Sequence, residues 1–172
     1  MKVSDVETLF HYNRWANQRL VAKVKQLSEV ELNQPKQIGS RSLLEAFVHI
    51  LDGESFWRLA VQTGAGPSER ITHEQISDLN DLQAKFTAEA DLRAAYLESL
   101  DDDELARQIE FRIGTGKPRR QVLWHVLVHI VNHGTQHRAE IGLMLDRLGH
   151  SPGSLDFVSY VTRQSVRSRI EP

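Results

Sequence analysis

The sequence predicts an all-α protein: an antiparallel four-helix bundle with an additional short C-terminal helix, folded as a single domain over residues 1–172. Four long segments carry apolar residues at helical spacing. Capping chemistry and glycine–proline breakers separate them, and their connections are short, as in a bundle.

The first helix is expected from about Val3 to Leu27, with Val6, Leu9, Phe10, Asn13, Ala16, Leu20 and Val24 on one side. The second opens at a capping box, Ser42 with Glu45 three residues on, and stops in Gly64-Ala-Gly-Pro67. A third is expected from Ser77 to Leu100. The alternation Ile109, Phe111, Ile113 then suggests a short strand leading into a glycine turn. The fourth helix should begin after Pro118, a residue suited to a first helical turn, and end at Gly149. A shorter fifth helix should follow Ser151-Pro-Gly153, from Ser154 to about Arg167.

The totals exclude several classes of function. Hydrophobic residues make up 40% and charged residues 26% of the 172, an ordinary globular balance. A net charge of -2 supplies no basic excess to neutralise phosphates, so neither nucleic acid nor a membrane surface is expected as a partner. There is no cysteine, hence no disulfide, thiolate ligand or cysteine nucleophile, which fits a reducing compartment. The N-terminal stretch carries acids and no uninterrupted apolar run, so a cytoplasmic protein is expected. No HExxH, no carboxylate-bridged di-iron pattern, no GxSxG and no phosphate-cradling glycine loop is present.

Histidine is the informative residue. Of eight, four lie at one spacing: His125, His129, His133 and His137. Each fourth residue of a helix is displaced by about 40°, so the four cannot share a face. Against the stripe of Leu123, Val126, Leu127, Ile130, Ile141, Met144 and Leu148, His137 lies about 20° from the centre and His133 about 60°. His129, at about 100°, sits on the boundary, and His125, at about 140°, faces out. Two imidazoles one turn apart can address a single ion. His49, in the most apolar segment and on one face with Ala46, Gly53 and Phe56, is the natural third ligand from another helix. A buried imidazole there needs a hydrogen bond or a metal.

Asn132-His-Gly-Thr-Gln-His-Arg138, followed by Ala139-Glu-Ile141, resembles the fourth-helix signature of the DinB-like (damage-inducible) proteins of the wider DinB/YfiT metalloenzyme superfamily. Ser42-Leu-Leu-Glu-Ala-Phe-Val-His49 with Glu54 and Trp57, the opening Tyr12-Asn-Arg-Trp15-Ala-Asn17, and Leu148-Gly-His-Ser-Pro152 extend the resemblance over nearly the whole chain. It implies a four-helix bundle with one divalent ion per chain, zinc or nickel, on His49, His133 and His137. Water would fill the remaining positions, and a homodimer is implied. Two positions depart from the family pattern: Gln136, where a second histidine is common, and Ala139-Glu140, where glycine-glutamine is common. Characterised relatives use low-molecular-weight thiols such as bacillithiol or mycothiol. The resemblance therefore implies a small-molecule substrate or thiol as partner, and a metal-dependent enzyme that transfers the thiol to an electrophile. The alternative is a non-catalytic, stress-related metal- or ligand-binding protein.

Other residues hold two readings each. His129 is a rival ligand or an outer hydrogen-bonding group. Glu45 and Asp52, one turn either side of His49, can orient its imidazole or act as a base; alternatively Glu45 caps its helix and Asp52 lies on a solvated face. Arg138 can meet an anionic substrate or close a salt bridge, and Trp57 can wall the pocket. Trp15 and Trp124 are core or interface residues, while His11, His73, His125 and His150 are partly exposed.

Overall fold

The computed structural model describes residues 1–35 and 39–170. The single-domain expectation also includes residues 36–38 and 171–172, which lie outside the described residues. The chain is all-α apart from one small hairpin. Its elements are α1 (Val3–Val24), α2 (Glu29–Asn33), α3 (Leu43–Thr63), α4 (Leu79–Glu98), β1 (Gln108–Phe111), β2 (Arg119–Val122), α5 (Leu123–Arg147) and α6 (Phe157–Ile170).

Local chemistry sets the helix ends. At α3 the expected capping box is formed: the Ser42 hydroxyl accepts from the Glu45 amide, and the Ser42 amide donates to the Glu45 carboxylate at 2.7 Å. Gly64 closes that helix in the left-handed region at φ +81°, which glycine adopts without a Cβ penalty. Asp78 caps α4 by accepting from Asn80 and Asp81. The first helix stops at Val24, short of the expected Leu27, because Ser28 and Glu31 form a second capping box that starts α2.

α1, α3, α4 and α5 form the bundle, with α1 and α3 each packed against both α4 and α5. Side-chain pairs give the directions. Arg14 meets Asp91 and Lys25 meets Asn80, so α1 and α4 are antiparallel. His49 meets His137 while Gly53 faces His133, so α3 and α5 are antiparallel too. Phe47 meets Phe86 and Glu54 meets Arg93, so α3 and α4 run the same way. The segment between them therefore returns along α3, with Ile71 bonded to Asp52 and His73 near Glu45.

The apolar core has two parts. One includes Phe10, Phe56, Leu97, Leu127 and Ile130; the other includes Leu20, Phe47, Leu51, Phe86 and Ile141. On α1, α3, α4 and α5 the residues between these sets are polar and buried: Asn13, Asn17, Glu54, Arg93 and Arg138. A charged layer thus divides the core at mid-height.

The expected strand at Ile109–Ile113 is β1, and it has a partner the sequence did not suggest. β2 pairs with it antiparallel, Ile109 opposite Gln121, and delays the start of α5 to Leu123. β2 is Arg-Arg-Gln-Val with three exposed positions, so no alternation of apolar residues marks it. The Arg112 amide donates to the Gly64 carbonyl and ties the hairpin to the end of α3. α6 starts at Phe157, three residues later than expected, after Ser154 bonds Asp156. No helix is long and apolar enough to cross a membrane among the described residues.

Candidate metal centre

α3 and α5 bring His49, His133 and His137 together across their seam. Their ring centroids lie 4.5 Å (His49–His137), 4.6 Å (His133–His137) and 5.1 Å (His49–His133) apart. One nitrogen from each lies within 4.8 Å of the other two. Nitrogens on a tetrahedral ion sit about 3.4 Å apart, from bond lengths of about 2.0–2.1 Å, a difference that rotation of the rings can close.

The close approach depends on Gly53. A Cβ placed there would lie 2.9 Å from the Cε1 atom of His133, so only glycine leaves the ring its place. Gly53 is one of the small residues that the sequence places on the His49 face, and it is there that the second helix closes in. Gly134 serves differently. Its missing side chain leaves space for the Arg138 guanidinium, 2.5 Å from where a Cβ would stand, and not for an ion.

The electrostatics suit a cation. Burial is the main cause that pushes the His133 imidazole down to about 4, with the neighbouring His137, His49 and His129 adding to it. Burial, then Arg41, lowers His49 as well. Both rings are therefore neutral at pH 7 and present lone pairs. Among the described residues neither has a hydrogen-bond partner. His137 has one: its Nδ1 lies 2.9 Å from the Glu140 carboxylate, which leaves Nε2 for the seam. That carboxylate–imidazole pair is how metal-binding histidines are commonly oriented. Glu140 stands where the sequence pattern departs from the family, and only its i,i+3 spacing from His137 hinted at the contact.

The other expectations divide. His129 is exposed rather than on a boundary; it meets Trp57 edge-on at 5.0 Å and lies 5.9 Å from His133. It is outside the three-nitrogen group, and with Trp57 it borders one end of the seam. His125 is exposed against Trp124, and His11 and His73 are also exposed. Glu45 is the α3 cap. Asp52 is not on a solvated face: it is buried, accepts from the Arg70 side chain and from the Ile71 amide at 2.9 Å, and pins the returning segment. Arg138 meets neither the seam nor a carboxylate. It is 1% exposed and donates to Asn13, Asn17 and Thr135 in the bundle interior.

The sequence reading missed the interior charges. Glu54, 1% exposed, accepts from Asn13 (2.6 Å), Asn17 (2.9 Å) and Arg93 (2.9 Å). Burial alone would raise its pKa; Arg93 and the two amides outweigh that and hold it below its ordinary value. Arg58 and Glu89 form a bidentate pair beside it, at 2.7 and 2.9 Å. The available signal was positional: Glu54 and Arg58 continue the stripe of Phe47, Ile50 and Leu51 along α3.

Known proteins share this architecture. The chain is 22% identical over 160 residues to Protein DinB of Bacillus subtilis (strain 168), covering 89% of this chain and 91% of that one. It superposes on Bacillus subtilis YfiT, described as a probable metal-dependent hydrolase with an unusual four-helix bundle topology. There the TM-score is 0.65 and the identity 18%, over 85% of this chain and 89% of that one. A DinB-like protein of the same species, YjoA, gives a TM-score of 0.63 at 20% identity, over 86% and 93%. The DinB family model matches residues 1–169, and the chain belongs to the DinB family.

Proposed function

We propose that this protein is a metal-dependent enzyme that holds one divalent ion, zinc or nickel, on His49, His133 and His137. The observation that carries the reading is the pairing of two neutral, unpartnered imidazoles with a third whose far nitrogen is held by Glu140. Three neutral nitrogens that face one another from partly buried and buried rings share one missing partner, and a single ion supplies it. A divalent ion with an open position supplies, when bound, the means to deprotonate a thiol or a water at neutral pH.

The residues around the ion do the rest. Glu140 keeps the His137 proton on Nδ1. Gly53 lets α3 and α5 close on the ion, and Trp57 with His129 screens one end of the seam. An incoming low-molecular-weight thiol fits a chain without cysteine, and its transfer to an electrophile is the preferred reaction. Hydrolysis, the activity named for YfiT, uses the same site with water as nucleophile. Assembly as a cytoplasmic homodimer, and action on a small molecule rather than nucleic acid or a membrane, belong to the same proposal. A non-catalytic metal-binding role is the competing reading.

Metal content measured by plasma mass spectrometry on untagged protein, beside His133→Ala, is the test. About one divalent ion per chain, absent from the variant, supports the site and justifies screening thiols against electrophiles and simple esters. No metal in the wild type after incubation with zinc or nickel sinks it. A metal that binds while every thiol and hydrolytic screen stays silent favours the non-catalytic reading.

A further inference from the structure

We infer that the groove between α1, α5 and α6, on the other side of α5 from the histidines, is a binding site for a monocarboxylic acid with an apolar body. The groove encloses about 470 Å³, within the range of small-molecule pockets. Its walls are largely apolar, with Leu9, Val128, Val131, Leu155 and Phe157 among them. Arg138 forms part of its inner wall and supplies the charge.

The charge balance of the interior points to an anion. Among the described residues, six ionic side chains lie buried in the bundle: Asp52, Glu54, Glu89, Arg58, Arg93 and Arg138, and Asp52 is taken by Arg70 from the returning segment. Arg58 is taken by Glu89, and Arg93 by Glu54. Arg138 touches no carboxylate: Glu54, already paired with Arg93, reaches it only through the Asn13 and Asn17 amides. Every acceptor it reaches is neutral: Asn13 Oδ1, Asn17 Oδ1 at 3.0 Å, Thr135 Oγ1 at 2.9 Å and the Val131 carbonyl at 3.4 Å. Its Nε is buried with no partner at all. Buried guanidinium groups are normally paired with an anion, and a planar carboxylate is the partner their geometry suits.

Two features choose among anions. The apolar walls favour a ligand with a hydrocarbon body over a free inorganic ion. Asp156, exposed at the groove and bonded to Ser154, leaves a negative charge that disfavours dianions such as phosphate monoesters. The Tyr12 hydroxyl, bonded to the Leu155 carbonyl at 2.9 Å, fastens the segment before α6 over this face.

The test is calorimetric titration of the full-length protein with octanoate and with octanol. Because a carboxylate can also approach a metal, the same titrations are run on His133→Ala. Octanoate should bind saturably, one per chain, at least tenfold tighter than octanol, and equally well to His133→Ala. Arg138→Gln should lose that preference. Since Arg138→Gln removes a buried charge and can fail to fold, Val128→Trp, at a half-buried wall position, is the second variant; it should fold as the wild type by circular dichroism and lose octanoate binding. Equal affinity for octanol, unchanged binding to Val128→Trp, or binding lost only in His133→Ala overturns the inference. So does a dimer that Val128→Trp converts to monomer while octanoate fails to bind the wild type, since the groove is then filled by a second copy.

Discussion

The two polar regions of this bundle share α3 and α5 and are opposites in how their partners are assigned. On one side of α3 and α5, His49, His133 and His137 converge with nitrogens that find no acceptor or donor between them. On the interior side, the Glu54 carboxylate is met by two amides and a guanidinium, and Glu89 is met twice by Arg58. The first presents facing nitrogens that a single added ion would join. The second commits its carboxylates within the protein and leaves, among the described residues, only the Nε atoms of Arg93 and Arg138 without a partner. A satisfied polar cluster acts as scaffold, and a convergent unsatisfied one acts as a site.

The sharpest way to break this comparison is to unbalance the scaffold. Glu54→Gln leaves Arg93 in the interior without its carboxylate, which should cost about 3–5 kcal/mol in urea unfolding. His49→Leu in metal-free protein should cost far less, since that ring has contacts with His133 and His137 but no hydrogen bond or ion pair to lose. Equal losses for the two substitutions would mean the histidines are structural and the contrast is false.

The reach of sequence reasoning follows the same division. His137 and His133 could be placed inward because seven apolar residues between Leu123 and Leu148 define a stripe to measure them from. Gly53 was readable as a point of close approach. Glu54, Arg138 and Asp52 were not, because charged residues lie on the surface unless paired, and the partners of Glu54 are 37 to 41 positions away while the α1 amides that hold Arg138 are more than a hundred away. Long-range pairing is what a single sequence hides. β2 was missed for the same reason, since its register depends on β1 rather than on any pattern of its own.

Glu140 joins the site to its support. Glu140→Gln keeps the shape but removes the charge that holds the His137 proton, so metal affinity should fall about tenfold to a hundredfold while urea stability of the metal-free protein stays level. Competition with a chelating dye measures the first and denaturant titration the second. Unchanged affinity would reduce Glu140 to a surface contact.

Gly53→Ala addresses the packing rather than the charge. The added methyl meets His133 at 2.9 Å, and moving that ring should cost about 1–3 kcal/mol, expressed as weaker metal binding more than as unfolding. A loss confined to stability, with metal affinity intact, would show that the ring can relax without leaving the ion.

The smallest effect separates the two regions by pH. His133 titrates near 4 in the folded chain, against an ordinary 6.5, so between those values the unfolded chain takes a proton that the folded chain refuses. Stability of metal-free protein should therefore be level above pH 6.5 and fall as the pH drops toward 4; the lowered His49 and His129 act in the same direction. The effect is modest because these rings are only partly buried and water screens them. Glu54 works in another window. Its pKa is held below an ordinary 4.5, so its contribution is complete above that value and fades only as the pH falls further. In a series of urea midpoints, His133→Asn should flatten the slope between pH 6.5 and 4.5 and leave the more acidic limb as it was. A variant that instead flattens the acidic limb would mean that the histidine seam and the Glu54 layer titrate as one unit, and that the line drawn between site and scaffold runs in the wrong place.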